Sequence, residues 1–191
     1  EASNRANEIV REARERARQI EDLAARRSNE ALEAAQVAAQ GQGAMQSALA
    51  AFESALILTP EDPRLRWSYA LALLQAGRWN QGWAETAIRT SAGVTPPLSR
   101  RWPVWTGQPP AGKTICIRCE QGLGDTIQFL RYTQLLTERG ATVIAEVPPP
   151  LAELAATCTG VSKVITSDKE VGNFDAHAPY LSLPRLLGTD D

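Results

Sequence analysis

From Ile115 to Val147 the chain reads ICIRCEQGLGDTIQFLRYTQLLTERGATVIAEV, and this stretch constrains the fold more than any other. Ile115 to Cys119 is a short run of β-branched and apolar residues, the signature of a strand. Gly122 and Gly124 follow, supplying a tight turn with positive φ and a backbone that a ligand can approach closely. Asp125 or Thr126 then caps a helix whose inner face is expected at Ile127, Leu130 and Gln134 or Leu135, with Gly140 ending it. TVIAEV is a second strand. Strand, glycine turn, helix and strand form a right-handed βαβ unit, which requires a parallel sheet and puts the loop at its carboxyl edge, where open α/β folds bind ligands. Beyond it, PLAELAATC reads as a short helix, SKVIT as a strand, and NFDAHAPYLSLPRLLG as an extended stretch turning at Pro184.

Two other motifs compete for function. GQPPAGKT, Gly107 to Thr114, spells a nucleotide-binding P-loop. A working P-loop leaves a buried strand and opens a helix, whereas this one follows the linker-like RRWPVWT and enters the strand TICIRC. Pro109 and Pro110 also remove N–H groups that phosphate would need, so nucleotide hydrolysis is excluded. Cys116 and Cys119 form a C-x-x-C, but residues three apart on a strand point to opposite faces, so no metal or redox pair is expected. Cys158 joins them as a reduced thiol, and no metal site is expected anywhere. The dinucleotide fingerprint fails because Ile127 occupies its third glycine position, leaving no cofactor to expect.

The first half is helical. Glu1 to about Gln40 is Ala, Glu and Arg without Pro or Gly, with a thin heptad seam at Ala6, Val10, Ala13, Ala17, Ile20, Ala24, Ala31, Ala34 and Ala38, interrupted at Arg27. The seam suits either a helix that docks a protein partner or a second copy, or a solvated lead-in helix. Ser28 or Asn29 is expected to break it. In ALAAFESALILTP, the spacing of Ala48, Phe52, Ala55 and Pro60 is that of the second helix of a tetratricopeptide unit, and Gly43 marks its turn. Advancing by about 34 residues puts Gly77 at the next turn and Gly82 at the small-residue position. Thr86 and Arg89 then stand where an aromatic and an alanine belong, so the second unit is degenerate. An unrelated helical hairpin bundle is the alternative.

Net charge is -2, from 20 Lys plus Arg against 22 Asp plus Glu, which offers no nucleic-acid footprint. No apolar run approaches the roughly 20 residues of a membrane span, and no signal-peptide core is visible, so a cytoplasmic protein is expected.

EQGLGDTIQFLRY, together with PVWTG, GRWNQGW and DAHAPYLSLP, resembles a bacterial family of tetratricopeptide proteins carrying a heptosyltransferase-like GT-B glycosyltransferase domain. The likeness runs from about Ala44 to Asp191. After the Ala/Arg/Glu-rich helix over 1–40, which lies outside the likeness, an α plus α/β architecture is expected: helical repeats over 41–95, a linker over 96–112, and over 113–191, as the resemblance implies, the acceptor-side Rossmann-like half of a GT-B domain. The chain stops after about half of such a domain, so its nucleotide-sugar donor half is expected to be missing and these residues alone inactive. The resemblance implies Asp125 as catalytic base toward a protein or glycan acceptor, though as read from the residues alone Asp125 is equally a helix cap. Glu120, Gln121, Gly122, Gly124 and Thr126 are expected to line the ligand, with Arg131 and His177 reaching it from the same rim. Arg131 also reads as a solvated helix residue.

Overall fold

The computed structural model describes residues 2–38, 42–95, 102–120, 122–167 and 172–189. It divides into two compact units, Glu1–Ile88 and Arg89–Asp191.

The first unit is built from helices α1 (Ala2–Ala38), α2 (Gln42–Leu58), α3 (Pro63–Gln75) and α4 (Trp79–Glu85), which pack successively as two hairpins. Asp62 caps α3 by accepting from the N–H groups of Arg64 and Leu65 at 2.9 and 3.2 Å, and Pro63 opens the first turn, where a missing N–H costs nothing. Gly77, at φ 76°, turns the chain from α3 into α4. The core gathers Ala31 of α1, Met45, Ala48, Leu49, Phe52 and Ala55 of α2, and Leu65, Ala72 and Leu73 of α3. Gly82 lets α4 approach closely, since a Cβ there would lie 2.6 Å from Leu74 Cδ2. The expected break at Ser28 or Asn29 is absent: α1 runs through both, because Ala31 on the next turn is already buried in the core shared with α2 and holds the helix in register. Only part of the alanine seam is covered. Ala24 and Ala31 are buried, while Ala13, Ala17 and Ile20 are exposed. Ala6, Val10 and Ala38 are seam positions whose side chains lie outside the described residues.

The second unit carries a four-stranded sheet, β1 (Thr114–Arg118), β2 (Thr142–Glu146), β3 (Lys163–Ile165) and β4 (Ala176–Pro179), in the order β3-β2-β1-β4 and parallel throughout. Helices α5 (Leu123–Leu130), α6 (Tyr132–Glu138), α7 (Ala152–Thr157) and α8 (Leu183–Leu187) complete it. Ile115, Ile117, Val143 and Ala145 are fully buried, and Cys116, Ile144 and Ile165 cluster with Phe174, so the strands are apolar on both faces as a covered parallel sheet requires. The glycine-lysine-threonine run does lead into β1, and its backbone is already engaged. Gly112 N–H donates to Gly140 O at 2.9 Å, Lys113 N–H to Pro110 O at 3.0 Å, and Thr114 N–H to Asp175 Oδ2 at 2.7 Å, which leaves none of the three for phosphate.

The stretch expected as a linker behaves differently over its described part. His177 N–H donates to Pro103 O and Trp105 N–H to His177 O, at 2.9 and 2.8 Å, so Pro103 to Trp105 runs along the free edge of β4. Trp105 is buried and its indole N–H donates to Gln108 O at 2.9 Å. An edge strand needs such cover, and a proline-bearing segment supplies it without presenting a new edge.

Candidate functional site

The order β3-β2-β1-β4 reverses direction at β1: the chain steps outward to β2 and β3, then returns to the far side of β1 as β4. The carboxyl ends of β1 and β4 therefore flank the position at which open α/β sheets bind ligands. The β1 loop carries Glu120 to Asp125, and the β4 exit is a 3-10 turn at Tyr180–Ser182.

The glycine turn differs from expectation. Gly122 caps α5 in an extended conformation, φ -67° and ψ 174°, and neither Gly122 nor Gly124 has positive φ. The helix thus begins at Leu123, two or three residues before the expected caps, and Asp125 lies in its first turn. A carboxylate there faces the unsatisfied N–H groups and the positive end of the helix dipole. Asp125 is half-buried. Both glycines are exposed, and a Cβ built on either meets nothing within 4 Å, so no close approach within the chain requires glycine at either position. Thr126 is buried, and its hydroxyl and N–H both donate to Gly122 O at 3.2 Å, which ties the first turn shut.

The expected inner face of the helix shifts as well. Thr126, Phe129 and Leu130 are buried on α5, and Tyr132, Thr133 and Leu136 on α6, whereas Ile127 is 49% exposed beside Leu123 at 46%.

Glu120 is held inside the protein. Arg89 Nε donates to its Oε1 at 2.9 Å, and the side chains of Arg89 and Glu120 are each only 6% exposed. Arg89 Nη2 donates onward to Ser182 Oγ at 2.8 Å, and the Leu181 N–H also serves the Glu120 carboxylate. Burial pushes the Glu120 carboxyl above its usual range, opposed by Arg89 and Leu181, while the charge of Asp125 adds to the rise.

Two expected rim residues lie elsewhere. His177 is fully buried in the middle of β4, level with Cys116 of β1 and in ring contact with Phe174, and so lies inside the sheet, not at its carboxyl edge. Arg131 stands at the turn between α5 and α6, roughly 13 Å of helix away from Gly122. It is exposed, with its guanidinium 5.2 Å from the Tyr132 ring centroid. Gln121 lies outside the described residues. Residues that the sequence did not flag are Arg89 and Ser182, and the Arg118–Glu146 ion pair joining the exits of β1 and β2. Arg89 had a signal of its own, since it stands where an alanine belongs in the helical spacing. Tyr180, buried at the β4 exit, has no hydrogen-bond partner for its hydroxyl among the described residues, and burial holds its phenol well above the ordinary range. No group of His, Cys, Asp and Glu among the described residues is placed to hold a metal ion, and no described helix is long and apolar enough to cross a membrane.

No family model matches the chain, and no solved structure matches it. It is similar to Protein FlbA of Caulobacter vibrioides, 35% identical over 92 residues that make up 46% of this chain and 15% of that protein. The chain thus spans a small part of the length of that curated relative.

Proposed function

We propose that the second unit is the acceptor side of a glycosyltransferase-like protein of GT-B type, and that Asp125 is its general base. The observation that carries the reading is the placement of Asp125: a half-buried carboxylate in the first turn of α5, beside two exposed glycines, at the strand-order reversal of a parallel sheet. Ligands of open α/β sheets bind at that reversal. In the proposed step the acceptor hydroxyl gives its proton to Asp125 while its oxygen bonds to the anomeric carbon. The bond from that carbon to the donor's phosphate oxygen breaks, and the nucleotide leaves with the electron pair. The base is most useful as the carbon becomes cation-like. The acceptor is a protein or glycan hydroxyl, and a nucleotide-sugar donor would be bound by a second half-domain facing this one. Both belong to the whole protein and are part of the proposal.

A second reading has its own support. The two helical hairpins, the close α3–α4 approach at Gly82 and the turn at Gly77 suit tetratricopeptide-like repeats that bind a protein partner, with the sheet as a structural cap. One experiment separates the two. In the intact protein, supplied with a panel of nucleotide sugars and assayed by nucleotide release, Asp125→Asn is expected to lower turnover by roughly 10²–10⁴-fold with the fold retained. Unchanged turnover removes Asp125 as base, and absence of any transfer by the parent protein favours the scaffold.

A further inference from the structure

We propose that Arg89 is the positioning residue of this site: through Glu120 and Ser182 it fixes the loop bearing Asp125 to the segment leaving β4. The inference rests on reading the β1 loop as the acceptor site. Its geometric basis is independent of the chemistry.

Three stretches of chain meet on one guanidinium. Arg89 donates to Glu120, directly after β1, and to Ser182, directly after β4, and the Leu181 N–H closes the circuit on the Glu120 carboxylate. Backbone pairing of β1 with β4 ends at these exits, with Arg118 and Pro179 the last residues in register. Beyond that point the Arg89 network links the two loops. Glu120 is two residues from the Gly122 cap, so displacing it displaces the start of α5 and the Asp125 carboxylate with it. Arg89 also neutralises Glu120. The charge of Asp125 adds to the rise of the Glu120 carboxyl, so Arg89 offsets a like charge placed beside the loop.

Stability alone gives little reason for such a pair. Two side chains 6% exposed have been stripped of water, and a well-packed apolar pair of similar size is commonly as stable or more so. What an apolar pair lacks is direction. A guanidinium with two donors aimed at two loops sets their separation, whereas methylene packing tolerates a slide.

The test exploits that difference, using the protein with Arg89→Met and Glu120→Leu combined. Its melting temperature is expected to stay within a few degrees of the parent, while amide exchange of residues 119–126 accelerates by about tenfold or more and that of the β1 and β2 amides does not change. Unchanged loop exchange overturns the proposal, as does equal acceleration in loop and strands. If the double variant does not fold, Arg89→Lys carries the test. It keeps the charge but loses the fork, and loop exchange identical to the parent overturns the proposal. The chemistry is tested separately, because Asp125→Asn addresses the base and leaves this network in place. Slowed turnover in Asp125→Asn with no exchange change in the Arg89 variants would retain the acceptor site and discard its clamp.

Discussion

Glu120 illustrates how much a single residue's surroundings decide. As a letter beside two glycines and an aspartate it reads as a ligand contact. In the fold its carboxylate is turned to Arg89 and withdrawn from solvent, because the chain leaving β1 passes directly under the β4 exit. Burial raises its folded-state pKa above the ordinary value despite Arg89. The sign of the linkage follows. An acid that binds its proton more tightly when folded contributes most below its unfolded pKa, and that contribution is lost as pH rises through the folded value. Glu120→Gln resembles the protonated acid, so thermal melts of variant and parent should agree best near pH 4. As pH rises from there toward neutrality the parent should lose ground to the variant. A parent that gains on the variant over the same range would mean that Arg89 outweighs desolvation. His177 shows the opposite error. It sits between two alanines in AHAP, where no periodicity indicates which face is inside, and only the sheet order reveals that β4 is covered on its outer edge by Pro103 to Trp105.

At the scale of elements, the strand-glycine-helix-strand pattern was legible because it combines two independent signals, apolar runs of strand length and glycines at the hand-over. The helix boundaries and buried face were less so. Thr126 and Thr133 are buried because their hydroxyls bond to backbone carbonyls, so two polar letters occupy the inner face while Ile127 is left outside. A reading based on apolar periodicity selects the wrong stripe when that happens. The turn after α7 shows how tightly these elements fit. Thr133 Oγ1 lies 3.0 Å from Thr159 O, Thr137 Oγ1 donates to Gly160 O at 2.9 Å, and Gly160 itself has φ 89°. A Cβ on Gly160 would come within 2.6 Å of Thr133 O and 2.7 Å of Gln134 Cα, both backbone atoms of α6. Gly160→Ala therefore combines left-handed strain with a clash that no rotamer can relieve, and it should destabilise the α/β unit by about 2–4 kcal/mol. Urea unfolding of that variant measures the loss. A cost below about 0.5 kcal/mol, the range of a neutral surface change, would show that α6 and the turn are not packed as described.

For the whole molecule, the division at Ile88 and Arg89 separates two cores of different origin. The first depends on small residues that let helices approach, with Phe52 as its largest fully buried side chain, 6.0 Å from the Tyr69 ring and packed with Leu49 and Leu73. The second depends on β-branched strand residues such as Ile115, Ile117 and Val143, none of which belongs to the helical cluster. Phe52→Ala removes an aromatic from a core that mixes alanines with Leu49, Leu65 and Leu73, and alanines have no rotamers with which to fill the gap. The cost should sit at about 3–5 kcal/mol, the range for such truncations. Because Phe52 belongs to the core of the helical unit, the loss should be confined to it. Amides of α2 and α3 should exchange faster by several orders of magnitude while those of β1 and β2 keep their protection. Equal loss in both units would mean that the sheet requires the helices to fold, and the chain would then have to be treated as one cooperative body. Confinement has a functional consequence under the proposed reading. A helical unit that can be weakened without disturbing the sheet leaves Asp125 where it is, so on the glycosyltransferase reading Phe52→Ala should leave turnover of the intact protein unchanged, and a matching loss of turnover would show that the site depends on the helical core.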